Sequence, residues 1–141
     1  MHIKYTKIII FVAIMELAIA AGIISFWIAF FSTDLVSIDD PHLKEIYLAF
    51  ESAFPVADIY LSILLIIGGI GLLKRMSFGF LFSLLGGASL IFLGLLDISF
   101  NTQHGIYFLG IGEAILNIFI NLLCLGGGFF IIFTIWKNRT D

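Results

Sequence analysis

Apolar residues run almost unbroken through four stretches of the chain, approximately 8–31, 53–73, 78–100 and 106–136, with short polar intervals between them. Each is as long as the roughly 20 residues a helix needs to cross the hydrocarbon of a bilayer. Backbone polar groups in lipid must be paired within the segment, so the pattern predicts helices. The intervals 74–77 and 101–105 are tight enough to make their neighbours antiparallel. The expectation is an all-α integral membrane protein: a single membrane domain over 1–141, built as a four-transmembrane-helix up-down-up-down bundle.

The only sizeable polar segment, 33–52, carries a second pattern. Asp39 or Asp40 stands where a helix N-cap would, Pro41 takes the first helical position, and Leu43, Ile46, Tyr47, Phe50 and Phe54 follow at three- and four-residue spacing. Lys44, Glu45 and Glu51 fall off that apolar face. This predicts a short amphipathic outer-surface helix at 41–51, between spans 1 and 2. Pro55 then starts or kinks the second span.

Composition narrows the class. The chain is 61% hydrophobic and 12% charged, whereas a soluble domain carries about a quarter charged residues. Lys4 and Lys7 precede the first apolar run in the manner of a secretory signal, but that run contains Glu16 and continues through Phe26 and Trp27. It reads as a retained span. Of the 7 basic residues, Lys4, Lys7, Lys74, Arg75, Lys137 and Arg139 fall on one side of the predicted topology and only Lys44 on the other. That bias places both termini in the cytoplasm, with the protein integral to a cytoplasmic membrane. Asp34, Asp39, Asp40, Glu45 and Glu51 then face outward. The basic residues set orientation and form no nucleic-acid patch, and the single cysteine, Cys124, has no partner for a disulfide or zinc site.

Small residues repeat at helical spacing. Ala18, Gly22, Ser25 and Ala29 in span 1, and Gly79, Ser83, Gly87 and Gly94 in span 3, read as packing faces. A polar seam accompanies them. Span 2 carries Glu51, Asp58 and Ser62 on one face, span 3 carries Asp97, and span 4 carries Glu113, Asn117, Asn121 and Cys124. Polar groups avoid lipid, so these faces should meet inside the bundle. Asp58 and Asp97 come out about 5 Å below the outer surface, Glu113 about 10 Å, and Glu16 near mid-membrane, level with Asn117.

Carboxylates that converge without an internal cation make a site for a cation from outside. The candidate ligand-binding residues are Asp58, Asp97, Glu113, Asn117, Asn121 and Glu16. If the ligand is a divalent cation, Asp58, Asp97 and Glu113 would bind it together with His104. An organic cation, or held protons, would suit the same groups. Three functions follow: binding, and with it transport, of a metal or organic cation; a non-catalytic accessory or assembly subunit with a structural seam; and an intramembrane lipid-modifying enzyme. No serine or cysteine nucleophile has an in-span base, so no catalytic residue is assigned. The expected partners are the lipid bilayer, a cationic ligand, and a second copy or another membrane protein.

Overall fold

The computed structural model describes residues 2–33 and 38–140. Asp34, expected among the outward acids, lies outside them. Five α-helices make up nearly all of the fold: α1 (Lys7–Ser32), α2 (Pro41–Glu51), α3 (Phe54–Leu73), α4 (Phe78–Gln103) and α5 (Ile111–Lys137). A 3-10 turn (Ile106–Phe108) precedes α5, and two short strands, β1 (His2–Ile3) and β2 (Arg139–Thr140), bracket the chain. The strands pair antiparallel, His2 opposite Thr140 and Ile3 opposite Arg139. The Lys4 N–H continues the pairing to the Asn138 carbonyl at 2.8 Å. Both termini therefore sit at one end of the bundle, where Arg75 of the α3–α4 turn also lies over the Tyr5 ring at 4.0 Å.

α2 forms as its sequence dictates. Asp40 is the N-cap, its Oδ1 accepting from the Leu43 N–H at 2.8 Å, and Pro41 opens the helix. Leu43, Ile46, Tyr47 and Phe50 are half-buried while Glu45 and Leu48 are exposed. The Phe50 ring stacks flat on Phe100 of α4, with centroids 3.8 Å apart, which fastens α2 across the end of the bundle opposite the termini. Only Ser52 and Ala53 separate α2 from α3. Pro55 has no N–H to give to the Glu51 carbonyl, so the helical ladder breaks there and restarts.

α1 packs on α3, α3 on α4 and α4 on α5, whereas α1 and α5 meet only sparsely. Glycine sets the close approaches. A Cβ on Gly79 would lie 2.6 Å from the Gly71 carbonyl carbon, and one on Gly128 2.6 Å from the Gly87 carbonyl oxygen. Four of the helices are long and apolar enough to cross a membrane, and close van der Waals packing of this kind is how such helices associate. The small residues of α4 serve two neighbours: Gly79 and Ser83 face α3 and α1, while Gly87 and Gly94 face α5. The small face of α1 differs from its expected packing role. Ala18, Gly22 and Ser25 are exposed, and no atom lies within 4 Å of a Cβ placed on Gly22. α1 instead contacts α3 through Ala13, Glu16 and Leu17, against Gly68 and Gly69. Phe31, Val56, Ile111, Phe119, Leu122 and Phe133, among others, leave the outside of the bundle broadly apolar.

Candidate functional site

The sparse contact between α1 and α5 leaves a cavity of about 520 Å³, walled by α1, α3, α4 and α5 and topped by α2. Its lining changes character with depth. At the α2 end stand four carboxylates, each from a different helix: Glu51, Asp58, Asp97 and Glu113. Deeper in, Met15, Ile19, Leu61, Leu90, Leu123 and Cys124 form apolar walls. Among the described residues, no lysine or arginine lines it.

Local structure positions the acids. Asp58 lies one turn into α3, and its Oδ2 accepts from the Trp27 indole N–H at 2.8 Å, tying α3 to α1. Asp97 Oδ2 accepts from the Asn101 side-chain amide at 2.9 Å, one turn further along α4. That amide also donates to Asn117 Oδ1 at 3.1 Å, and Asn117 in turn donates to the Glu113 carbonyl at 2.8 Å. One polar chain thus links the floor of the acidic end to α5. Asn101 is completely buried, with its Oδ1 unpaired. Glu113 lies in the first turn of α5, because Gly105 turns the chain at φ +66 and Gly110 is extended ahead of the helix. It is therefore shallower than a helix starting at 106 implies, and level with the other acids.

Of the expected ligand-binding residues, Asp58, Asp97, Glu113 and Asn117 line the one cavity, and Asn121 and Glu16 do not. Asn121 donates to the Tyr107 hydroxyl at 2.7 Å and is also a hydrogen-bond partner of Asp97, so it supports the acidic end from behind the lining. Glu16 is completely buried between helices, with Oε2 accepting from Ser83 at 3.1 Å and Oε1 unpaired. A Cβ on Gly68 would lie 3.2 Å from Oε2, so α3 closes over it. Glu16 and Asn117 accordingly form no deeper pair.

The expected divalent-cation set was Asp58, Asp97, Glu113 and His104. Among the described residues no three His, Cys, Asp or Glu side chains are grouped to hold a metal ion. The acids come from separate helices spread around the cavity, and His104 folds away from them. Its ring stacks on Phe100, and Nδ1 lies 3.0 Å from the Phe100 carbonyl, to which it can only donate.

Three cavity or supporting residues were absent from the expected site. Glu51 falls seven residues before Asp58, on the polar face read along span 2, although it ends α2 while Asp58 belongs to α3. Asn101 stands one turn from Asp97, but the end of α4 lies beyond the expected turn boundary. Trp27 carried no sequence signal that separated it from an interfacial anchor.

Fold and site together define a small helical protein with four helices long and apolar enough to cross a membrane, enclosing an acid-mouthed cavity between them. Over residues 5–141 the chain belongs to the family described as a domain of unknown function, DUF8058. No curated protein matches it. No solved structure matches it either.

Proposed function

We propose that this chain is a four-span, up-down-up-down protein of the cytoplasmic membrane that binds an organic cation in the cavity from the outer side. The reading is carried by one observation: four carboxylates from four helices line a single cavity in which, among the described residues, no basic side chain takes part. Uncompensated acids so placed favour a positive guest. The apolar walls, and the lack of a metal-ligating group among the described residues, favour an organic cation over a divalent metal. Six basic residues fall at the end that carries the termini and the α3–α4 turn, which supports a cytoplasmic position for that end.

Equilibrium binding of tetraethylammonium to the detergent-purified protein tests the reading. Asp97→Asn and Glu113→Gln are expected to weaken binding roughly tenfold each, about 1.4 kcal/mol. Wild-type affinity in both variants would overturn it. A second reading, an accessory subunit whose seam is structural, is favoured by the bonds that already engage Asp58 and Asp97. Under it no cation binds, and the neutral variants retain assembly with a partner.

A further inference from the structure

The apolar half of the cavity opens sideways. α1 and α5 touch toward the terminus-bearing end, where Phe11 and Phe130 meet edge-to-face at 5.9 Å and Ile19 lies 3.7 Å from a Cβ placed on Gly127. At and just beyond that contact, Ala18 and Gly22 of α1 and Leu116, Phe119 and Leu123 of α5 line the cavity and are exposed. Exposed cavity-lining residues on both helices, where the two helices meet only sparsely, border an opening between them. At 1.5 Å of rise per residue, Gly22 lies about 15 Å below the Ser32 end of α1, while Asp58 lies only about 6 Å below the start of α3. The opening is thus at hydrocarbon depth, roughly 10 Å deeper than the acids.

We infer that the cavity takes a single-chain amphiphile with a cationic head group, admitted from the bilayer through the gap between α1 and α5. This rests on the cation-binding reading of the same cavity and adds the tail and the route. The head group sits among Glu51, Asp58, Asp97 and Glu113, and the chain runs along Ile19 and Leu123 toward the gap. A volume of about 520 Å³ is in the range of one drug-sized ligand, and holds one chain rather than a two-chain phospholipid. A freely water-soluble cation would need neither the apolar walls nor an opening at this depth.

Trp27 gives a direct readout, since it lines the cavity and is one of only 2 tryptophans. The other, Trp136, packs under Arg139 at the far end, with the guanidinium 3.8 Å from its ring. A Trp136→Phe protein in phosphatidylcholine bilayers would be titrated with dodecyltrimethylammonium brominated on the chain carbons next to the head group, beside Trp27 in this pose, and separately with neutral dodecanol brominated at the same carbons. The cation is expected to quench Trp27 at roughly one-tenth the membrane concentration of the alcohol, a difference of about 1.4 kcal/mol. Adding Gly22→Phe, which fills open space, should abolish that preference. Equal quenching by cation and alcohol, in a protein that still binds tetraethylammonium, would overturn the amphiphile while leaving the cation site standing. Preferential quenching that survives Gly22→Phe would overturn the lateral route. Failure to bind either cation would overturn the cation site and this inference together.

Discussion

The acids along this chain divide by what surrounds each one. Glu16 looks the most anomalous in the sequence, yet it is the one most completely enclosed, capped by the Ser83 hydroxyl and the bare backbone at Gly68. A neutral isostere keeps both its shape and an acceptor for Ser83. Glu16→Gln is therefore expected to leave tetraethylammonium binding unchanged, in contrast to Asp97→Asn, and equilibrium binding on the two proteins side by side checks this. Glu16→Ala should instead lower stability by about 2–4 kcal/mol, through a cavity and an orphaned hydroxyl, as seen in denaturant midpoints. That Asp58, Asp97 and Glu113 share one site could be read from helical spacing alone, because each lies on a polar face that lipid excludes. Spacing gives no information on rotamer or partner, and so could not show that Trp27 turns inward to Asp58.

The long helices here are placed by glycine more than by apolar pattern, since nearly every face of each is apolar. Small-residue stripes are correspondingly ambiguous. The stripe on α4 packs on both sides, whereas the stripe on α1 faces outward and borders the cavity. Sequence spacing marks both alike, because it reports which residues share a face and not which neighbour the face meets. The two classes separate on substitution. Gly71→Ala would put a methyl group 2.6 Å from Gly79 Cα and is expected to cost about 1–3 kcal/mol. Gly22→Ala meets nothing and should be neutral or stabilising by up to about 1 kcal/mol through helix propensity. Melting temperatures of the two variants in one detergent decide the matter. At the start of α2, Asp40→Ala removes the side-chain acceptor at that cap and should cost about 1 kcal/mol of local stability, visible as faster amide exchange over 42–44.

Taken as a whole, the molecule is three closely packed helix pairs in series, with the fourth possible contact, α1 to α5, left partly undone. The span count and α2 were legible from runs of apolar residues and from Asp40-Pro41. The start of the last span was not, because the apolar residues 106–109 continue the hydrophobic run while Gly105 and Gly110 bend it into a turn. The cavity was not legible either, because a gap is a property of how two helices diverge and no single residue encodes it. Its consequence is a change of character with depth: acids near the α2 end and apolar walls below.

The melting temperature of the purified protein in neutral detergent, followed as tetraethylammonium is raised, tests the central claim most directly. Wild type and the triple variant Asp58→Asn, Asp97→Asn, Glu113→Gln are compared. A guest bound only by the folded state stabilises it by about 2.7 kcal/mol at one hundred times its Kd, so the wild-type transition should climb with concentration while the variant's stays level. A wild-type transition that does not move, or one that climbs equally in the variant, would contradict a cation site formed by these carboxylates.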